Sequence, residues 1–249
     1  MSPLLWILSL FSKLKSALRK RLLGGAPGET LSQYVVRKFG KHSYAQEGED
    51  VLLWRMMDWD HSPATFVDVG CNHPFLMSNT AMFYEHGWRG VAIDPNPAFA
   101  VDFAKLRPED TFINCGVSTT EGSLCYYQFK ESLYNTFDAE KAATITGISS
   151  TLLSQIQVPV RPLSAILNEI WPGGKALLVL SIDCEGMDEQ VIASHDFNRF
   201  PVEFLCVEID SLRLDRCTAE PIYSQVAALG FIPVAKLCKS AIWSRPGHT

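Results

Sequence analysis

Phe66-Val67-Asp68-Val69-Gly70-Cys71-Asn72 and Gly90-Val91-Ala92-Ile93-Asp94-Pro95 decide how this chain folds. Each is a short, β-branched apolar run that closes on small or turn-forming residues, the signature of a strand buried on both faces of a parallel sheet. Between them, Leu76 to His86 places Leu76, Met77, Met82 and Phe83 at helical spacing. Strand, turn, helix and strand make a βαβ unit, whose right-handed crossover brings the carboxyl ends of both strands to one edge. Open α/β sheets bind ligands at that edge, so Gly70 and Asp94 are expected beside one pocket.

Further along, the same reading gives a helix over 51–57 and strands over 65–69 and 91–94. A helix over 96–106 is followed by a third strand over 111–117 and a hairpin-type strand over 122–129. Residues 130–155 read as an irregular insertion and 158–160 as a short edge strand. A helix over 163–170 follows, stopped by Trp171-Pro172-Gly173-Gly174. Strands over 176–182 and 204–209 end in Asp183-Cys184-Glu185-Gly186 and Glu208-Ile209-Asp210. A helix over 221–229 then leads to a closing antiparallel hairpin of 231–234 with 241–243. The expected architecture is a doubly wound, Rossmann-like α/β fold with a mostly parallel sheet.

The 249 residues suit one domain with a short appendage. The net charge of −5 is unevenly spread: Lys13, Lys15, Arg19, Lys20 and Arg21 fall in the first 23 residues with no acid, so the body is more acidic than the whole. An acidic body lacks the basic face that phosphates require, which argues against a nucleic-acid partner. The seven cysteines are scattered and form no CxxC pair, so a zinc site is not expected and the thiols read as reduced and cytoplasmic.

At the amino terminus, Ser2-Pro3 is a helix start, and Leu4, Ile7, Leu8, Phe11, Leu14, Leu18 and Leu22 form one apolar stripe. Its charge follows the apolar stretch instead of preceding it, unlike a signal peptide, and the uninterrupted apolar run is too short to span a bilayer. Residues 1–25 are therefore expected to form a basic amphipathic helix. Through residues 4–22 it would lie on a membrane surface, making the protein peripheral there, or dock on protein; the pattern does not separate these. Residues 26–60 read as a linker and N-terminal helical cap, and 61–249 as the catalytic domain. Ser43 and Gln46 have capping-box spacing before the first domain helix. Oligomeric state is left open.

The loop after the first strand tests the cofactor. A dinucleotide loop wants G-x-G-x-x-G, but the corresponding positions here are Gly70, Asn72 and Phe75. The missing glycines are those that admit a pyrophosphate and close helix packing. S-adenosylmethionine carries no pyrophosphate, yet its ribose still needs an acid at the second strand's end, where Asp94 stands. An NAD-dependent oxidoreductase and a non-catalytic, membrane-tethered domain of the same fold are the rival readings.

Several stretches resemble the FkbM family of S-adenosylmethionine-dependent methyltransferases. They are Tyr44-Ala45-Gln46-Glu47-Gly48-Glu49-Asp50, Phe66 to Pro74, Ser78-Asn79-Thr80, Gly87-Trp88-Arg89-Gly90, Ile93-Asp94-Pro95-Asn96-Pro97, Ser181 to Asp188 and Val207-Glu208-Ile209. The likeness covers roughly residues 43–245; His73-Pro74 stands where many members carry Asp-Gly. The resemblance implies methyl transfer to oxygen, commonly a hydroxyl of a glycan or secondary metabolite. It also implies that Asp68, Gly70 and Asn72 shape the cofactor loop, that Asp94 with Pro95 holds the ribose, and that Asn114, Cys115 and Gly116 approach the adenine. Gln46 would close over the cofactor.

Asp183 and Glu185 leave the fourth strand toward the same edge and are the candidate bases, with His73 a third candidate. Plainer roles exist for each: strand-end hydrogen bonding for Asp68, capping of the helix near Asp188 for Asp183 and Glu185, and a loop hydrogen bond for His73. Glu208 could join Asp183 around an acceptor or a divalent ion. Carboxylates are too common for that to assign a metal.

Overall fold

The computed structural model describes residues 30, 33, 42–57, 64–209, 213 and 217–247. The expected helix of residues 1–25 and most of the linker lie outside the described residues. From Ser43 onward the chain forms one compact unit. It contains α1 (Glu49–Met56), β1 (Thr65–Val69), α2 (Ala81–Glu85), β2 (Arg89–Ile93), α3 (Phe99–Leu106), β3 (Thr111–Ile113), β4 (Gly116–Val117) and β5 (Gly122–Phe129). Then come α4 (Ala139–Ile145), β6 (Leu152–Arg161), α5 (Leu163–Ile170), β7 (Leu177–Ile182), α6 (Asp188–Ser194), β8 (Val202–Glu208), α7 (Pro221–Ala228), β9 (Ile232–Lys236) and β10 (Ser240–Ser244).

Seven strands make the main sheet in the order β3-β2-β1-β7-β8-β10-β9. β1, β2, β3, β7 and β8 run parallel, and β10 runs antiparallel to both β8 and β9. The chain winds outward from β1 through β2 to β3, then returns to the middle and winds the other way through β7 and β8. The reversal lies between β1 and β7, and a doubly wound sheet opens its ligand crevice at such a reversal.

Alternation along each central strand sends side chains to two layers. Val67, Leu180, Ile182, Leu205 and Val207 pack with Leu163, Ile166, Val191 and Val226 of α5, α6 and α7. Phe66, Val179, Phe204 and Cys206 face the other way, onto Leu53 of α1, Phe83 of α2 and Trp88. Each fully buried apolar side chain of this size stabilises the fold by about 1.5–3 kcal/mol.

Three expectations are corrected. The helix over 76–86 shortens to Ala81–Glu85, and the two apolar residues used to start it, Leu76 and Met77, are 67% and 47% exposed. The stretch ahead of α2 is instead held as a loop by Arg107, which is fully buried. Its guanidinium donates to the Pro74 carbonyl (3.1 Å), Ser78 Oγ (3.3 Å) and Thr80 Oγ1 (3.1 Å), and pairs with the equally buried Asp110 at 2.7 Å. The strand over 111–117 breaks at Asn114-Cys115. Asn114 Nδ2 donates to the Asp94 carbonyl and Cys115 N–H bonds Ile113, so β3 stays in the main sheet and β4 joins another.

The short edge strand at 158–160 is the end of the ten-residue β6, which is the centre of a second sheet ordered β4-β6-β5. Its first half, Leu152-Leu153-Ser154-Gln155-Ile156, leaves Leu153, Ser154 and Gln155 exposed in a row, so its apolar residues show no strand alternation. Pro159, which cannot donate to a ladder, sits where β6 pairs with β5 alone.

The buried Arg107–Asp110 pair leads to a first prediction. Arg107→Ala strands a buried carboxylate, which costs about 3–5 kcal/mol, and should lower the melting temperature by roughly 10 °C. A thermal melt that does not move would show that the 74–80 loop is held by other means.

Candidate active site

Gly70 follows β1 at the reversal, with φ at +78°. Its N–H bonds the Ile93 carbonyl at 2.9 Å, and an added Cβ would lie 1.8 Å from the Asp183 carbonyl oxygen. Glycine is therefore required by the neighbouring strand end as much as by any ligand. Asn72 (φ +49°) and Glu185 (φ +51°) are non-glycine residues in the left-handed region. Both flank this point, and such strain gathers where side chains must be aimed into a site.

A cleft of about 850 Å³, the solvent at its mouth included, opens here. It brings together Gln46, Gly70, Asn72, Asp94, Pro95, Cys115, Gly116, Asp183 and Glu185, all expected from sequence. Asp68, His73 and Asn114 are not among its lining residues. Asp68 lies one layer behind: its Oδ2 accepts from Thr80 Oγ1 at 2.6 Å, and it bonds Ser181, whose Oγ accepts from Nδ2 of Asn79, a lining residue. Burial raises the Asp68 carboxyl above its ordinary value despite these bonds. His73 Nδ1 accepts from the Phe75 and Leu76 N–H groups at 3.1 Å each, the loop hydrogen-bonding arrangement. Asn114 is spent on the Asp94 carbonyl.

Asp94 is 5% exposed and organises the loop around it. Its Oδ2 accepts from Asn72 N–H at 2.9 Å and its Oδ1 from Asn96 N–H at 2.8 Å. Each carboxylate oxygen retains a further lone pair for a ligand hydroxyl. Burial pushes the Asp94 carboxyl up to about 7, against the pull of the two N–H donors. Burial likewise raises the Cys115 thiol to about 11 and holds the Tyr126 hydroxyl in its protonated form.

Asp183 follows β7. Burial, then the facing Glu208, then Glu185 and Asp188, raise its carboxyl well above the ordinary range. Glu185 is raised by burial and held down by an ion pair with Lys141. Neither Asp183 nor Glu185 caps α6, whose N-cap Met187 has no side-chain cap; Asp188 instead ties the preceding turn, accepting from Cys184 N–H (3.0 Å) and Gly186 N–H (3.2 Å). The capping box at Ser43 and Gln46 is likewise not made. Ser43 Oγ donates to Asp50 at 2.6 Å, and Glu49 bonds Ser240, which leaves Gln46 at the cleft.

The 130–155 insertion, expected to help shape the acceptor site, joins Tyr126 of β5 in a wall whose members the sequence does not single out. Tyr126, Leu133, Asn135, Thr136 and Phe137 line the cleft. Gly116 lets Phe137 approach, because a Cβ there would stand 2.7 Å from the ring. Ser132 Oγ donates to Asn72 Oδ1, and Thr136 Oγ1 to the Glu185 carbonyl. The mix of Ser, Thr and aromatic residues in 130–155 carries no periodic signal, so only the fold reveals this wall.

The charge of the cleft is one-sided. Glu49, Asp94, Asp183 and Glu185 line it, with no lysine or arginine among the lining residues described. A pyrophosphate would be repelled there, whereas a cation joined to a nucleoside suits it.

A family model described as the methyltransferase FkbM domain matches residues 68–231. Among solved structures, the chain is similar to a TehB-like SAM-dependent methyltransferase from Corynebacterium glutamicum (10% identity, 86% of this chain and 94% of that one, TM-score 0.39). A methyltransferase from Geobacter sulfurreducens shares 13% identity over 92% and 97% of the two chains, with a TM-score of 0.41. The 1,6-didemethyltoxoflavin-N1-methyltransferase of Burkholderia thailandensis shares 12% over 94% and 88%, with a TM-score of 0.40. No match is found among curated proteins.

Proposed function

The chain belongs to the FkbM methyltransferase family, and from that premise we propose that it methylates a hydroxyl oxygen of a carbohydrate or secondary metabolite, with S-adenosylmethionine as donor. The observation that carries the donor is the cleft's acidity: four acidic side chains, of which only Glu185 is paired with a lysine, and no lining cation favour a sulfonium nucleoside over a phosphate-bearing coenzyme. The donor supplies a methyl group on positively charged sulfur, activated for in-line displacement.

Asp94 holds the ribose hydroxyls on its remaining lone pairs, with Asn72 and Asn96 fixing the carboxylate from behind. Cys115, Gly116 and Phe137 form the wall for the adenine, a flat apolar surface next to β4. Gln46 and Glu49, tied to the β9–β10 turn through the Glu49–Ser240 bond, cover the opposite side. Asp183 stands at the reacting end and takes the acceptor's proton as the new C–O bond forms. A hydroxyl needs such a base, because it is a poor nucleophile until its proton is being lost.

The acceptor is tested by incubating the protein with methyl-labelled donor and a panel of glycans and cell-envelope extracts. Label is expected in an ether that resists mild base. Label found only on nitrogen or carbon would overturn the assignment to oxygen.

Among the described residues no helix is long and apolar enough to cross a membrane. We read residues 4–22 as a surface contact for anionic lipid, since the second half of the apolar stripe is interleaved with five basic residues and no acid. Deleting residues 1–25 is expected to abolish co-sedimentation with vesicles containing phosphatidylglycerol and to leave the melting temperature unchanged. Undiminished co-sedimentation would remove the membrane role.

A further inference from the structure

Glu208 ends β8 beside the end of β7 and belongs to none of the roles above. Asp183, Glu185 and Glu208 bring carboxylate oxygens within 4.8 Å of one another. Glu185 has Lys141 as its cation and Glu208 has Lys239, 3.5 Å away. Asp183 has neither; it faces Glu208, with carboxylate oxygens within 4.8 Å, and burial together with that facing acid raises its carboxyl. Two carboxylates this close repel one another, so sharing one proton between them is favoured.

The groups facing the pair from each packed element are these. Glu185 and the neutral thiol of Cys184 share the β7–α6 turn, and Asp188 of α6 is occupied by two backbone N–H groups. Cys206 lies behind on β8 and is held protonated by burial. Lys141 reaches in from α4 and Lys239 from the β9–β10 turn, where Glu47 accepts the Lys239 N–H. Glu49 and Asp94 stand elsewhere on the cleft wall. Carboxylates outnumber cations around Asp183.

Resting on the methyltransferase reading, we propose that Asp183 and Glu208 form a one-proton carboxyl pair that releases its proton when the cationic donor binds, leaving Asp183 free to act as base. Glu208 is a positioning residue that acts through Asp183. Empty, the pair has charge −1. A sulfonium nearby favours the doubly charged form, and one proton leaves to solvent. During transfer the C–O bond forms as the C–S bond breaks and its electrons stay on sulfur; the acceptor's O–H proton goes to Asp183. The sulfur product is neutral and the pair again holds one proton, so the cycle closes with one proton released per turnover. An opposite charge within about 4–6 Å lowers a carboxyl by about 1–3 pH units, which favours loss of the shared proton.

The test needs no acceptor. The full-length protein is titrated calorimetrically with S-adenosylmethionine and with S-adenosylhomocysteine, each in two buffers of different ionisation heat, between about pH 6 and 8. Proton release common to both ligands belongs to their shared groups, Asp94 and the ribose included. The expected result is an excess release with the methyl donor, at most one proton per site. In Glu208→Gln and Asp183→Asn this excess disappears, while in Glu208→Gln the affinity for S-adenosylhomocysteine stays within about threefold of wild type. Equal release for the two ligands in wild type, or an excess that survives in Glu208→Gln, would overturn the pair. Should wild type bind neither ligand, the donor assignment itself falls, and the pair with it.

Discussion

Asp94→Ala is expected to weaken binding of S-adenosylhomocysteine by roughly 100-fold or more, because hydrogen bonds to a charged group contribute about 1.5–3 kcal/mol each and two are lost. Asp94→Asn should fall between, since its amide oxygen still accepts. Calorimetric titration of the three proteins decides, and unchanged affinity in the alanine variant would dissociate the ribose from β2.

The same carboxyl imposes a pH dependence whose sign can be worked out. Burial raises Asp94 to about 7 from its ordinary 3.8, so the empty folded protein keeps a proton that the unfolded chain has released. Its contribution to stability is therefore present at low pH and is lost as pH rises from about 4 to 7, by up to about 4 kcal/mol. Nucleoside affinity moves oppositely, rising through about pH 7 as the carboxylate becomes available. Urea unfolding of wild type against Asp94→Asn at pH 5 and pH 8 isolates the first effect.

Asp183→Asn is expected to lower turnover by about 10²–10⁴, the range of a lost general base, with nucleoside affinity changed only a few-fold. The amide keeps the size of the side chain but cannot take the acceptor's proton. Initial rates with labelled donor, on whichever panel member accepts the methyl group, make the comparison. Equal rates would remove Asp183 as base and direct attention to Glu185, the other acid on that turn.

The central sheet was legible because strands buried on both faces write unbroken apolar runs. β1, β5 and α5 begin and end where patterning places them. Asp94 was equally legible, since an acid closing such a run must lie at the carboxyl edge. Features settled by polar contacts at long sequence separation were not. Arg107 holds the loop ahead of α2 from about thirty residues away, so the spacing of Leu76 and Met77 suggests a helix start that they do not form. The first half of β6 breaks the alternation, with Leu153, Ser154 and Gln155 exposed in a row, which hid it from an apolar criterion. The wall built by Tyr126, Asn135 and Phe137 exists only once the second sheet folds over the edge. Glu208 was visible as a strand-end acid, but its contact with Asp183 depends on the β7–β8 pairing.

The claim beneath all of this is that an acidic cleft at the β1–β7 reversal seats a sulfonium nucleoside. Calorimetric titration of the full-length protein with S-adenosylmethionine and, separately, with NAD tests it most directly. Saturable one-to-one binding of the first, lost in Asp94→Ala, with no heat from the second, is the predicted result. Binding of NAD, or silence with S-adenosylmethionine, would contradict it.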